Sequence, residues 1–394
     1  MSNHIKHYQF LDLIRTVGIL QVVLFHILFG VFTYGESDAA LALISNLPLW
    51  MTFAWQPFGV DAIFLVSSFL LTSALLDERE RLGRIDIRAY ILKRLLRILP
   101  LYYLALLLYQ LASPFDLLDF TLSAVFLGVT LGVGNVIPVG WSMEVMMIFF
   151  LILPFLLTFV LKSKRPIFTL AIFVIIVTGS RIVFLVLSDI SVNRLLLDTF
   201  QGFPAETAAK QLYYQPWFRL PPFLIGMMLA IIVNKARGSH REISGQATQF
   251  FGFFIILVCC FTPVNRENSW IYQLSDTVLV IYFGSLVTLF SFGLALAMWK
   301  PLVKNSKWNG SWIRACKIVS RCIFGIYLFH MPFIVLGAII ILQSLDKMQL
   351  TTITPGQIWM IFCVSTLLSL GFSQLLLRFI EAPVIKGSAD LLTK

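Results

Sequence analysis

The stretch LDLIRTVGILQVVLFHILFG, residues 11–30, decides the fold. As an α-helix it rises about 30 Å, the thickness of a bilayer's hydrocarbon core. It carries Asp12, Arg15 and His26 inside the apolar run and ends without a small-residue cleavage site, so it reads as a mature helix rather than a removed signal. Similar runs recur along the chain. Of 394 residues 58% are hydrophobic and 13% charged, with a mean hydropathy of +0.87, more than water could solvate in a globular domain. The composition therefore predicts an all-α polytopic transmembrane bundle.

Working outward, spans are expected near 10–33, 54–77, 98–114, 141–161, 167–188, 216–234, 248–263, 275–299, 318–343 and 357–380. The apolar segment 119–135 is short and rich in Gly and Thr. If it crossed, the basic segments 162–165, 235–241 and 300–317 would lie opposite 79–97. If it is re-entrant, all four share one side, as the positive-inside rule prefers. The expected topology is thus ten spans, one re-entrant segment and both termini cytoplasmic, with loops 34–53 and 189–215 outside. One membrane domain over residues 1–394, with no extra soluble domain, accounts for the chain.

The net charge of +10 sits in short segments between apolar runs, where it argues for lipid headgroups and topology rather than nucleic acid. Cys259, Cys260, Cys316, Cys322 and Cys363 show no metal-ligand spacing, so no metal is expected. Any chemistry must come from polar groups within the bundle. Ionisable groups inside a span are costly, and each is a candidate for function.

Arg15 and His26 are 11 residues apart, close to three helical turns or about 16 Å, and so share a helix face. A guanidinium binds phosphate oxygens, and an imidazole moves protons near neutral pH. The structural alternative pairs Asp12 with Arg15 at i, i+3 and leaves His26 as a packing histidine. Arg88, Lys93, Arg94 and Arg97 form a basic segment ending at Pro100, either a topogenic loop or a phosphate site. Ser142 and Glu144 open a helix after Pro138 and Gly140, where Ser142 suits an N-cap and a carboxylate suits the dipole. His330 lies in GIYLFHMPF with Pro332 behind it.

Together these segments resemble the acyltransferase 3 family of bacterial and eukaryotic membrane acyltransferases, along nearly the whole chain. LDLIRTVGILQVVLFH resembles the family's opening span, an arginine, ten residues, then a histidine. GVDAIFLVSSFLLT is similar to the family's GVDLFFVLSGFLIT at Gly59, Val60, Asp61, Ser67 and Phe69, with Ser68 replacing a glycine. KRLLRILPLYY resembles its Arg-rich segment, and SRCIFGIYLFHMP with RFIEAPVI its closing helices, placing Tyr327, His330, Glu381 and Pro383 at matching positions. GWSMEVMMIFFLILP echoes WSLSVEEQFYLLWP but places Met146, Met147 and Ile148 where Glu-Glu-Gln stands, so Glu144 projects about 200° away from the usual direction.

The resemblance implies transfer of acetyl or a similar acyl group from cytoplasmic acyl-CoA to a hydroxyl of an extracytoplasmic glycan or glycolipid, such as lipopolysaccharide O-antigen or capsule, in a bacterial inner membrane. No permanently bound cofactor is implied; acyl-CoA is a substrate. By the same analogy Arg15 orients the donor, His26 is the base or acyl relay, and Arg94 and Arg97 with Lys93 bind coenzyme A. Asp12, Asp61, Ser67, Ser142, Glu144, Tyr327, His330 and Glu381 would support them. The rival reading is a proton-coupled anion or lipid-linked glycan transporter, against which stands the absence of two similar halves. Asp198, Glu206, Tyr213 and Tyr214 of loop 189–215 are sugar-contact candidates, although interfacial aromatics also serve as membrane anchors.

Overall fold

The computed structural model describes residues 8–34, 58–133, 135–188, 208–237, 245–261, 273–304, 308–343 and 353–392. Among these residues there is no strand, and the helices follow the apolar runs: α1 (Gln9–Tyr34), α2 (Phe58–Leu82), α3 (Ile87–Ala112), α4 (Leu117–Ala124), α5 (Gly140–Lys162) and α6 (Pro166–Leu187). After α7 (Ala208–Tyr214), a 3-10 turn (Pro216–Arg219) enters α8 (Leu220–Arg237), followed by α9 (Gln246–Phe261), α10 (Asp276–Lys304) and α11 (Ser311–Leu342). α12 (Pro355–Leu376) continues through a π turn (Leu377–Glu381) into α13 (Ala382–Leu392). Nine helices among the described residues are long and apolar enough to cross a bilayer; α9, a shorter apolar helix of 16 residues, lies on the expected span 248–263. Loop 34–53, Asp198 and Glu206 fall outside the described residues, apart from the last residue of α1.

The largest shift of an expected boundary is at the third span. The third span begins at Ile87, not near 98, because Asp86 caps it by accepting from Ala89 N–H at 3.0 Å. Arg94 and Arg97 are therefore helical residues at the edge of the bundle, not loop residues. α12 starts equally sharply, on a Thr354–Gln357 capping box with Pro355 at the first helical position.

Contacts along the helices fix their directions. α1 crosses α2 antiparallel where Gly18 meets Gly59 and Ile63, and a Cβ on Gly59 would collide with the Gly18 carbonyl. α2 and α8 run parallel: Asp61 meets Arg219, Ser68 Oγ donates to the Phe223 carbonyl at 2.5 Å, and Glu80 accepts from Asn234. α1 and α11 are also parallel, since Thr16 Oγ1 donates to the Cys316 carbonyl at 3.1 Å and His26 meets His330. Counting each other apolar helix as one crossing, α1 and α11 share a direction only if residues 117–139 do not cross. They do not: α4 has eight residues, about 12 Å of rise, and the chain then turns back, with Phe126 at φ 59° stacked on Tyr102 at 4.3 Å.

Asp61, named by the resemblance as a supporting residue, pairs with Arg219 at the entry of α8. Both its oxygens accept from Arg219 Nη1 at 3.0 Å, with both residues buried. Arg219 Nε also donates to the Tyr213 carbonyl at 2.6 Å, and its guanidinium lies 4.0 Å over the Tyr213 ring. Asp61→Asn leaves a buried guanidinium without its counter-ion, a loss of about 3–5 kcal/mol. The expected result is a clear fall in the thermal stability of the detergent-solubilised protein. Asp61→Leu combined with Arg219→Met should recover much of it, because an apolar pair carries no desolvation cost.

Candidate active site

Between α2, α3, α5 and α11 lies a slot of about 260 Å³. Along α2 it runs from Val60 to Ala74, a rise of about 21 Å. Its walls are apolar: Ile63, Phe64 and Leu71 from α2, Met143, Met146 and Phe150 from α5, Ile323 and Phe324 from α11. Three arginines line it, Arg15, Arg94 and Arg97, and among the described residues no carboxylate does. Arg15 Nε and Arg94 Nε are buried and have no hydrogen-bond partner. Leaving charge-bearing donors unsatisfied in a buried space is costly, so such a cluster is shaped for an anion.

The helix directions order these groups by depth. Arg94 and Arg97 face the Leu71–Ala74 end, which leads to the Asp77–Arg81 charges of α2, and Arg15 enters further in. Ser142 and Tyr327 close the opposite end. Ser142 Oγ donates to Tyr327 Oη at 2.5 Å, and the Val139 carbonyl lies within 3.2 and 3.3 Å of the two hydroxyls. One turn beyond Tyr327 on the same helix is His330, whose Nε2 lies 3.3 Å from His26 Nδ1, with ring centroids 4.9 Å apart. The slot thus runs from a basic mouth to a hydroxyl pair lying beneath two imidazoles.

The sequence-derived candidates divide accordingly. Arg15, Arg94, Arg97, Ser67, Ser142 and Tyr327 line one slot, and His26 with His330 lies just past its end. Asp12 is buried within electrostatic reach of Arg15, and Glu381, in the π turn, within reach of Arg97. Lys93 is exposed and does not line the slot, because its neighbour Arg94 takes the inward-facing position.

Glu144 does not line the slot. It is buried and faces away from the slot, accepting from Val129 N–H at 2.9 Å and from Thr130 N–H and Oγ1 at 2.8 and 2.5 Å. Met146, two residues on and about 200° around the helix, is the residue that lines the slot. Glu144 is therefore the clamp of the non-crossing segment, to which Gln215 adds a bond to the Val129 carbonyl at 3.2 Å and Tyr102 one to the Ser123 carbonyl at 2.8 Å. Glu144→Gln replaces an acceptor with an N–H that faces another donor. It should cost about 1–3 kcal/mol and, in hydrogen-exchange measurements, raise exchange in residues 125–139 more than elsewhere.

Two functional-looking residues escaped the sequence reading. Arg181 is buried in α6 and donates to the Gly284 carbonyl at 2.9 Å and the Phe218 carbonyl at 2.7 Å; Arg219 pairs with Asp61. Both obey the rule that flagged Arg15, a charge within an apolar run. Above them Trp141, Tyr213 and Tyr214 cluster with centroids 4.9–5.2 Å apart, next to Ser142. Burial pushes the phenols of Tyr213 and Tyr214, which precede the α8 span, above the ordinary tyrosine range and keeps them neutral.

Comparison with known proteins returns an acyltransferase-domain family, whose profile matches residues 8–378. The chain is 24% identical over 356 residues to "O-acetyltransferase OatA" of Staphylococcus aureus, covering 83% of this chain and 52% of that protein. It is 24% identical over 334 residues to "Putative peptidoglycan O-acetyltransferase YrhL" of Bacillus subtilis, covering 76% and 48% respectively. The chain spans about half the length of the curated relatives it matches. No solved structure matches it.

Proposed function

The chain belongs to the acyltransferase 3 family, and from that premise we propose that it moves an acyl group, acetyl in the first instance, from cytoplasmic acyl-CoA to a hydroxyl of an extracytoplasmic glycan or glycolipid. The observation that carries this is the slot, with three guanidiniums at and near its mouth and a hydroxyl pair and two histidines at its far end. Coenzyme A presents phosphates at one end and a thioester at the other, joined by a thin arm. Arg94, Arg97 and Arg15 suit the phosphates, and the narrow apolar channel suits the arm. O-antigen and capsule are candidate acceptors, and peptidoglycan joins them through the name of the B. subtilis relative. The reading places the basic mouth on the cytoplasmic side of a bacterial inner membrane.

The reaction needs a base, a site for developing negative charge and close positioning. In this reading His26 takes the proton of the acceptor hydroxyl as its oxygen attacks the thioester carbonyl carbon. As charge develops on the carbonyl oxygen, the Tyr327 hydroxyl at the slot's end turns its hydrogen from the Val139 carbonyl to that oxygen, with Ser142 still donating to Tyr327. The C–S bond then breaks, and the coenzyme A thiolate recovers the proton from the His26 imidazolium. Acyl-CoA and an alcohol become an ester and free coenzyme A, with no oxidant or metal required.

The test is label transfer from radiolabelled acetyl-CoA in sealed membrane vesicles supplied with native envelope extract, comparing wild type with His26→Ala and Arg15→Ala at matched protein levels. The reading expects label in a glycan or glycolipid fraction with wild type alone. Transport of acetyl-CoA or an anion without thioester cleavage would move the transporter ahead.

A further inference from the structure

Resting on the reading of His26 as the base, we propose that His330 is a positioning residue for His26: it holds the ring's orientation through a second bond to Nδ1–H and shares the charge once the ring is protonated. His26 Nδ1 lies 2.8 Å from the Val22 carbonyl oxygen, one turn back on its own helix. A ring nitrogen that close to a carbonyl must carry a hydrogen, because two lone pairs would repel. The neutral ring therefore presents its lone pair at Nε2, the nitrogen left to act as base.

The same argument applies to His330. Its Nδ1 lies 2.8 Å from the Tyr327 carbonyl and 3.2 Å from the Ile326 carbonyl, so it too bears the proton there. Its lone pair is then at Nε2, and that atom faces His26 Nδ1 at 3.3 Å with the ring planes at 65°. The His26 N–H is thus shared by two acceptors, the Val22 carbonyl and the His330 ring. When His26 gains a proton, that N–H becomes a stronger donor and both bonds tighten.

The arrangement performs the orienting task that a buried aspartate performs in a catalytic triad, but with a neutral partner. The choice suits its surroundings. A carboxylate here would have to be held charged inside an apolar bundle between turnovers, whereas an imidazole is uncharged until needed. His330 is fully buried and its helix is seated closely on α12, where Gly325 faces Ser373 and Gly337 faces Ser365, so its ring has a fixed platform. His330 does not line the slot, and its effect acts through His26.

The test compares His330→Ala, His330→Asn and His330→Gln in the full chain reconstituted in liposomes, measuring coenzyme A release from acetyl-CoA with native envelope extract. Glutamine can set its amide oxygen where Nε2 lies; asparagine reaches only to the Nδ1 position. The expected result is a fall in kcat of about 100-fold for His330→Ala and His330→Asn, with KM for acetyl-CoA within about threefold, and recovery to within about tenfold for His330→Gln. A glutamine variant as slow as alanine, a loss confined to KM, or an alanine variant at the wild-type rate each overturns the proposal. Solid-state 15N spectra give a readout that needs no turnover: the Val22 carbonyl keeps His26 the Nδ1–H tautomer in every variant, while its Nδ1 resonance should shift in His330→Ala and return towards wild type in His330→Gln. If His26→Ala turns over normally, the base reading fails, while the spectra still judge whether His330 accepts the His26 Nδ1–H.

Discussion

Replacing His26 by alanine is expected to lower kcat for acyl transfer by about a thousandfold while leaving the donor KM within a few-fold. The expectation follows from position. His26 is not among the residues that line the slot, so its loss removes little donor binding. It does remove the group whose free Nε2 would take the acceptor's proton, and an unassisted alcohol is a poor nucleophile at neutral pH. His26→Gln keeps a polar side chain of similar reach but cannot accept and return a proton, and it should be nearly as slow as alanine. Steady-state assays of coenzyme A release with both variants decide the matter. A His26→Gln enzyme within tenfold of wild type would show that the residue only fills space or donates a hydrogen bond.

Much of this site is written locally in the sequence, and the part that is not depends on partners far along the chain. The 11-residue interval between Arg15 and His26 is close to three helical turns, so a shared face is legible, and the basic flanking segments favour a 119–135 that does not cross. The true start of α3 was hidden because a basic segment reads as a loop until its cap, Asp86, is noticed. Glu144 could not be assigned from its own helix: its partners are backbone N–H groups of Val129 and Thr130, in a segment with no motif. Asp61 is similar. Its neighbours in sequence suggest chemistry, but its counter-ion is 158 residues away, and only packing of α2 on α8 brings them together. Arg181 and Arg219 were legible by the rule already applied to Arg15, since each is a charge in an apolar run.

Alanine at Arg94 or Arg97 should raise the KM for acetyl-CoA by about 10- to 100-fold with little change in kcat, the loss expected when a charge-assisted bond worth about 1.5–3 kcal/mol is removed from ground and transition states alike. Arg15→Ala should raise KM by a similar factor and also lower kcat, because Arg15 enters the slot nearer the end where the thioester would react. S-acetyl-pantetheine separates phosphate binding from any general effect on the fold. It carries the same thioester and arm but no phosphate, so its poor wild-type kcat/KM should be almost unaltered by Arg94→Ala or Arg97→Ala. Salt adds a second discriminant: Arg97 is exposed, so its share of the affinity should fall as ionic strength rises, whereas that of the more buried Arg94 should persist. Equal losses for acetyl-CoA and S-acetyl-pantetheine would mean that the guanidiniums hold the bundle together rather than the donor, and the basic mouth would lose its assignment.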